Sequence, residues 1–183
     1  MNTVTRIKPP EASPMIDSIR ASLEGLLARQ KAACRAEPMP SLAVRQQRLA
    51  RLHNVILDCR QRMAAAAHAD FSARASAETD LGEVLPLLEG IAYYRKRLKR
   101  LMKPQRRHAP LTVLPGKAEV HYQPLGVVGI VVPWNFPFFL ALSPRIGALA
   151  AGNRALLKTS EFAPARGELL QKLRFRPIKI KPA

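Results

Sequence analysis

The chain is poor in cysteine and has no metal-binding spacing. Its two cysteines are Cys34 and Cys59, and its four histidines form no HExxH or His-rich group. The sequence therefore predicts no metal site. Both cysteines lie in amphipathic helical stretches, so we interpret them as small apolar residues with reduced thiols. The alternative is that one of them is a catalytic nucleophile.

Acidic side chains are also scarce. The chain has 13 Asp and Glu residues against 30 Lys and Arg residues, which gives a formal net charge of +17. Much of the excess lies in one segment, residues 95–107. This basic run is either a surface for nucleic acid or an acidic membrane, or a solvated helix face. We favour the solvated face and expect no nucleic-acid partner, because no aromatic residues alternate with the basic ones and no nucleic-acid motif accompanies them.

The sequence also shows neither a secretory signal nor a membrane-spanning segment. Residues 1–8 contain no apolar core that could serve as a signal sequence. Residues 125–142 are uncharged and approach the minimum length of a transmembrane helix. However, two prolines and an asparagine interrupt the centre of this segment, where unpaired backbone groups would be costly in lipid. The sequence therefore predicts no membrane span and a cytoplasmic location.

The most informative segment that is present is the pentapeptide Pro133-Trp134-Asn135-Phe136-Pro137. It follows an apolar run that predicts a strand and precedes a stretch that predicts a helix. Since a proline favours extended geometry at the residue before it, the pentapeptide should form a stiff turn at the carboxyl end of the strand. Ligands bind at that edge of α/β sheets. The Asn135 amide there could stabilise an oxyanion, although an ordinary capping role is the alternative.

Two longer motifs surround this turn. The first is Tyr122–Pro137, YQPLGVVGIVVPWNFP, and the second is Ala148–Glu161, ALAAGNRALLKTSE. Together and in this order they resemble the aldehyde dehydrogenase superfamily. Three upstream segments, DFSAR at residues 70–74, ET at 78–79 and YYRKRLK at 93–99, resemble its coniferyl aldehyde dehydrogenase branch. The resemblance covers about residues 42–173.

The resemblance implies NAD(P)-dependent oxidation of a small-molecule aldehyde to a carboxylic acid, with coniferyl or another aromatic aldehyde as a candidate substrate, in a family whose full-length members form homo-oligomers. By this resemblance Asn135 is the catalytic residue that stabilises the oxyanion. The implied cofactor-binding residues are Val132, Pro133, Trp134, Lys158 and Glu161. We expect NAD over NADP, because a carboxylate at Glu161 favours free ribose hydroxyls over a phosphate. The alternatives are a surface ion pair for residues 158 and 161 and simple packing for residues 132–134.

The predicted fold class is α/β, with amino-terminal helices, a short antiparallel hairpin and the first βαβ unit of an incomplete Rossmann-like NAD(P)-binding domain. We expect a disordered tail at residues 1–12 and a partial aldehyde dehydrogenase domain at residues 13–173. Within this domain residues 13–102 should be helical, 108–123 a hairpin, and 125–173 the start of the cofactor-binding βαβ unit.

The first helix should carry an apolar face of five side chains: Ile16, Ile19, Leu23, Leu26 and Leu27. Ser41 can cap a long second helix, in which apolar residues recur at three- and four-residue steps: Leu49, Leu52, Ile56, Cys59 and Met63. The apolar pattern of the last helical region predicts four inward-facing side chains: Leu81, Leu85, Leu88 and Ile91.

In detail, the hairpin strands are predicted at residues 111–114 and 119–123, on either side of the turn Pro115-Gly116-Lys117. The βαβ unit is predicted as strand 127–132, helix 138–151 and strand 155–158. It has no GxGxxG fingerprint after its first strand, which by itself argues against dinucleotide binding. The resemblance removes this objection, because aldehyde dehydrogenases hold their cofactor in an atypical way.

Some catalytic groups that the resemblance implies have no match in this sequence. After Glu161 there is no cysteine and no glutamate in a Glu-Leu-Gly-Gly setting, and residues 174–183 form a basic, proline-interrupted stretch that departs from the family pattern. We therefore expect a truncated amino-terminal fragment without activity of its own. The alternative function is a non-catalytic module that binds a partner or polyanion through the basic run.

Overall fold

The computed structural model describes residues 14–173, so the tails predicted at residues 1–12 and 174–183 lie outside the described part of the chain. Between these limits the helices are α1 (Pro14–Ala36), α2 (Leu42–Phe71), α3 (Ser76–Thr79), α4 (Leu85–Leu101), α5 (Pro137–Ala150) and α6 (Pro164–Lys172). The strands are β1 (Gln105–Arg107), β2 (Ala118–Val120), β3 (Val127–Val131) and β4 (Arg154–Lys158). This order confirms the predicted α/β fold class.

The long helix α2 forms the centre of the fold. The Ser41 hydroxyl oxygen accepts a hydrogen bond from the Val44 N–H at 3.3 Å and caps the first turn. Apolar side chains at three- and four-residue steps then bury one face of the helix against α4, α5 and α6. The buried stripe includes Leu49, Leu52, Ile56, Cys59 and Met63. The predicted helix and its stripe are confirmed, and the Cys59 thiol lies in the core.

Helix α1 packs beside the parallel strands β3 and β4 rather than in the core. Its predicted apolar face is only partly covered. Leu26 and Leu27 are half-buried, whereas Ile19 and Leu23 are exposed.

The segment between α3 and α4 changes its helical geometry. Residues Asp80–Val84 form a π-helical turn, and the predicted inward positions Leu81 and Leu85 are 70% and 46% exposed. The prediction is wrong for these two residues and confirmed for Leu88, which is partly buried, and Ile91, which is fully buried. A π turn encloses one more residue than an α turn and so rotates the side chains around it to another face. The buried residues near the junction are instead Glu83, Val84 and Leu87.

The hairpin is displaced from its predicted position. Strand β1 pairs antiparallel with β2, with Gln105 opposite Val120 and Arg107 opposite Ala118. The prediction of a strand at residues 111–114 is wrong, because Leu111–Val113 forms a 3₁₀ turn. Prolines at positions 110 and 115 enclose this short segment. Since proline has no N–H to donate, the segment cannot complete a ladder, and the basic residues before it pair instead.

The predicted βαβ unit is present. Strands β3 and β4 lie parallel, with Val127 opposite Arg154 and Val131 opposite Lys158, and α5 connects them. Helix α5 buries its apolar face in the core, but β3 is less buried than its apolar sequence predicts. Val131 is 78% exposed. Within residues 14–173 this sheet has two strands, so each strand has one edge that is not paired with a further strand.

Candidate active site

The two predicted site segments lie at the same edge of the parallel pair. The pentapeptide follows β3, and residues 158–161 form the end of β4 and the loop after it. The pairing continues one residue past β3, since the Val132 N–H donates to the Lys158 carbonyl oxygen at 2.9 Å. Because parallel strands end side by side, the segments that leave them start as neighbours. This is the edge at which α/β proteins bind ligands.

Asn135 lies on the turn between β3 and α5 with an exposed side chain. Its backbone carbonyl oxygen accepts a hydrogen bond from Arg74 Nη1 at 3.3 Å. Among residues 14–173 its side-chain amide has no hydrogen-bond partner, and it does not cap α5. The capping alternative therefore finds no support in the contacts, and the amide is free to donate to a ligand.

The predicted cofactor-binding residues 132–134 are divided between the core and the surface. Val132 is buried, Pro133 is exposed, and Trp134 is 54% exposed. The Trp134 indole packs edge-on against the Phe71 ring with the ring centres 6.2 Å apart. Val132 thus packs in the core, while Pro133 and Trp134 present surface at the sheet edge.

Lys158 and Glu161 form an ion pair at that edge. The Lys158 ammonium donates to Glu161 Oε2 at 2.8 Å, and both side chains are exposed. This hydrogen bond holds the pKa of the Glu161 carboxyl below its ordinary value. The contacts are those of the surface-pair alternative, and they also present an ionised acceptor and a cationic donor to solvent.

Glu83, which the sequence analysis did not single out, and Arg74, which it named only as part of a family-like segment, fix the Asn135 turn. Glu83 is fully buried, and its Oε2 accepts the N–H groups of Phe138 and Phe139 at 2.8 and 3.0 Å in the first turn of α5. A carboxylate in this position satisfies unpaired donors and interacts favourably with the helix dipole. Arg74 lies 3.3 Å from the other Glu83 oxygen and also donates to Asn135. Together the two residues hold both ends of the turn.

A second pair fixes the start of α6 in the same way. Asp70 accepts the N–H groups of Ala165 and Arg166 at 2.9 and 3.1 Å. The Arg166 side chain is fully buried, donates to the Ala67 carbonyl oxygen at 3.1 Å and lies 3.7 Å from Asp70. Burial lowers the pKa of the Arg166 guanidinium. In the sequence, Asp70 and Arg74 were part of a family-like segment, and no pattern marked the burial of Glu83 or Arg166.

A model of the aldehyde dehydrogenase family matches residues 4–175, which is most of the sequence. The chain belongs to the aldehyde dehydrogenase family. It is 51% identical over 151 residues to a probable coniferyl aldehyde dehydrogenase of Pseudomonas aeruginosa, a match that covers 82% of this chain and 32% of that protein. It is 38% identical over 152 residues to the coniferyl aldehyde dehydrogenase of a Pseudomonas species, covering 82% and 31%. The predicted family and its coniferyl branch are confirmed.

Solved aldehyde dehydrogenases share the fold. The substrate-bound structure of Staphylococcus aureus AldH has a TM-score of 0.78 at 30% identity, over 82% of this chain and 33% of that one. The chain therefore spans about a third of the length of these three relatives. The fold of this aldehyde dehydrogenase segment is thus shown over most of its length.

Two clefts in the described aldehyde dehydrogenase segment are lined by residues other than the predicted site residues. One, of about 770 Å³, lies along α2 and α3 and includes Arg60, His68 and Arg74; the other, of about 460 Å³, lies between α4 and α5. Neither is lined by Asn135, Lys158 or Glu161. In residues 14–173 no group of three or more His, Cys, Asp or Glu side chains is arranged to hold a metal, and no helix is long and apolar enough to cross a bilayer.

Proposed function

We propose that this chain is the amino-terminal part of an NAD(P)-dependent aldehyde dehydrogenase that oxidises an aromatic aldehyde of the coniferyl class to its carboxylic acid. The observation that carries the proposal is the free, exposed amide of Asn135 at the carboxyl edge of β3, on a turn held from behind by Arg74. Family membership and the similarity to coniferyl aldehyde dehydrogenases support the substrate class.

In the proposed reaction the Asn135 amide donates a hydrogen bond to the aldehyde oxygen as a nucleophile attacks the carbonyl carbon. The oxygen gains negative charge at this step, and a donor already fixed in place stabilises it without further reorganisation. The amide stays in place because Arg74 holds the backbone of residue 135 and Glu83 holds the helix that follows. A positioned donor of this kind contributes about 10²–10³ to the rate.

The residues at the sheet edge fit a dinucleotide. The Lys158 ammonium supplies donors, and the ionised Glu161 carboxylate can accept hydrogen bonds from ribose hydroxyls. Pro133 and Trp134 present flat apolar surface beside them. The bound nicotinamide cofactor would accept the hydride of the aldehyde. We propose NAD as the preferred cofactor, since the Glu161 carboxylate would repel the 2′-phosphate of NADP.

We do not expect the chain by itself to catalyse aldehyde oxidation. Its cysteines are Cys34, half-buried in α1, and Cys59, buried in the core face of α2. Neither helix contains the turn after β3 or the loop after β4, where the proposed site lies. An oxyanion donor without a nearby thiolate has no tetrahedral intermediate to stabilise. We therefore propose that the 183-residue chain contributes the oxyanion amide and cofactor contacts, and that the nucleophile comes from outside it.

The test measures cofactor binding and turnover separately. Calorimetric titration of the purified chain should show NAD binding, and Lys158→Ala or Glu161→Ala should weaken it about tenfold, as expected for losing one charged hydrogen bond. Lys172→Ala and Glu168→Ala remove a similar exposed ion pair at 3.1 Å on α6 and should leave the affinity unchanged. Absorbance of NADH with an aromatic aldehyde should stay at the blank rate. Equal losses in both pairs of variants would contradict the cofactor site, and turnover would contradict the inactivity.

A second candidate function is a basic interaction module. It is favoured by the exposure of Arg95, Lys96, Lys99 and Arg100 on α4. In that case the chain should bind a generic polyanion such as heparin or duplex DNA, and the affinity should fall steeply between low and moderate salt. Binding that is absent at low salt would remove this candidate.

A further inference from the structure

Two carboxylates of the helical part each hold the start of a different helix of the βαβ region. Glu83 accepts the first free N–H groups of α5, and Asp70 accepts those of α6. Helix α5 follows the turn that carries Asn135, and α6 follows the loop that carries Glu161. Each predicted site segment is therefore attached to a buried carboxylate at its downstream end.

The two attachments form one cluster. Arg74 lies against Glu83, and Arg166 lies against Asp70. The two guanidinium groups share the Phe71 ring, with distances of 5.7 Å for Arg74 and 4.0 Å for Arg166 to its centre. Charge and ring contacts thus connect the Glu83 side of the cluster to the Asp70 side.

The cluster also touches the Asn135 turn directly. Arg74 donates to the Asn135 carbonyl oxygen at 3.3 Å and stacks on the Phe136 ring at 4.7 Å. The Phe71 ring contacts Trp134. Trp134, Asn135 and Phe136 therefore all contact Arg74 or the Phe71 ring beside it. These contacts leave the exposed side-chain amide of Asn135 free.

Stability alone is a weak reason for such a cluster. The side chains of Glu83 and Arg166 are fully buried, and that of Arg74 is 5% exposed, so all three have lost their hydration. Buried ion pairs often stabilise a fold no better than well-packed apolar side chains of the same volume. What they do supply is directional contact. Glu83 Oε2 and both Asp70 carboxylate oxygens accept hydrogen bonds from backbone N–H groups. Arg74 and Arg166 each donate to a backbone carbonyl oxygen.

We propose that Asp70, Arg74, Glu83 and Arg166 form one positioning cluster that holds the Asn135 turn and the β4–α6 loop in a fixed mutual arrangement. The role of these loops in oxyanion and cofactor binding rests on the function proposed above. The cluster itself touches neither substrate nor cofactor. It acts through the backbone, so that a change at one carboxylate loosens both loops.

The test is hydrogen exchange of backbone amides in two segments, residues 133–142 and 163–170, followed by mass spectrometry on the full chain. Glu83→Gln removes the buried one of the two carboxylates that face Arg74, the other being the exposed Glu78 at 3.1 Å. It should raise exchange about tenfold in both segments, with the same result for Asp70→Asn. Matched controls are Asp80→Asn, on the same π turn as Glu83, and Glu168→Gln, on α6. Both carboxylates take part only in exposed ion pairs and should change neither segment.

The outcomes separate coupling from local capping. An increase confined to the segment of the mutated carboxylate would overturn the proposal, because each residue would then cap only its own helix. An increase that spreads equally into α2 would overturn it too, since it would reflect general destabilisation. If Glu83→Gln does not fold, Arg74→Lys replaces it, because a lysine keeps the charge but cannot reach Glu83 and Asn135 together. The same two-segment pattern is expected from it.

A second measurement links the cluster to binding. Calorimetric titration with NAD should show about tenfold weaker binding to Glu83→Gln than to the wild-type chain, whereas Asp80→Asn should bind as the wild type does. If the wild-type chain binds no NAD, the proposed function fails, and the exchange experiment still decides the positioning role. If wild type binds and Glu83→Gln binds equally well, the positioning role is overturned while the cofactor site stands.

Discussion

The Arg74 guanidinium donates a hydrogen bond to the backbone carbonyl oxygen of Asn135 across 3.3 Å, although 61 positions separate the two residues in the chain. The bond restrains the main chain of residue 135 and leaves its side chain free. This is the arrangement that a fixed hydrogen-bond donor requires, because the group must not reorganise when charge develops on the substrate.

The two asparagines of the βαβ unit should differ in how much their truncation changes stability. Asn135→Ala should leave the free energy of unfolding unchanged, because its side chain is exposed and without a partner among the described residues. Asn153→Ala should lower it by about 1–3 kcal/mol, because buried Asn153 accepts the Gly126 N–H at 3.0 Å and its loss leaves that donor unpaired. Urea unfolding measures both. A large loss in Asn135→Ala would show that the residue has a structural role.

Helix α2 offers a matched test of the core. Leu49 is fully buried and Leu57 is 45% exposed on the same helix. Leu49→Ala should destabilise the chain by about 2–5 kcal/mol, because it removes apolar contacts and leaves a cavity. Leu57→Ala should cost less than about 1 kcal/mol. Similar losses in the two variants, measured by urea unfolding, would contradict the observed orientation of α2.

Two glycine substitutions should change stability in opposite directions. Gly152 has φ +91°, and an added Cβ would lie 2.9 Å from Arg45 Cζ, so Gly152→Ala should destabilise by about 1–3 kcal/mol. Gly90 lies within α4, and an added Cβ would meet no atom within 4 Å. Gly90→Ala should therefore stabilise by about 0.5–1 kcal/mol. Thermal melting gives the sign of each change, and a stabilising Gly152→Ala would refute the left-handed geometry.

The pair Arg60–Asp80 predicts a pH dependence. The hydrogen bond from Arg60 holds the pKa of the Asp80 carboxyl below its ordinary value. A carboxyl with a lower pKa in the folded state stabilises the fold above its unfolded pKa, and this contribution is lost as the pH falls through the folded value. Arg60→Gln should therefore be less stable than wild type at about pH 6, and the difference should shrink at about pH 2.5, below the ordinary pKa of an aspartate.

Urea unfolding at both pH values measures this difference. The effect should be small, because the Arg60 side chain is 56% exposed and partly exposed ion pairs contribute little. A difference that persists unchanged at the lower pH would show that Arg60 acts through packing and not through its charge.

Much of the fold followed from local patterns. The apolar stripe of α2, its Ser41 cap and the strand-helix-strand order of residues 127–158 all appear in the structure as predicted. The pattern failed where local geometry changed, at the π turn of residues 80–84 and at the proline-bounded segment 111–113. In both cases the backbone hydrogen-bond pattern decides which side chains face the core, and the spacing of apolar residues does not reveal that pattern.

By itself, the sequence determined the family and the order of elements, because motifs and apolar periods reside in neighbouring residues. Only the tertiary structure decided that Asp70, Arg74, Glu83 and Arg166 are buried together beneath the Asn135 turn. Charged side chains ordinarily belong at the surface, and no local pattern marks an exception. Their burial is possible because partners as far as 99 positions along the chain supply opposite charges and hydrogen bonds, and these partners meet only when the chain is folded.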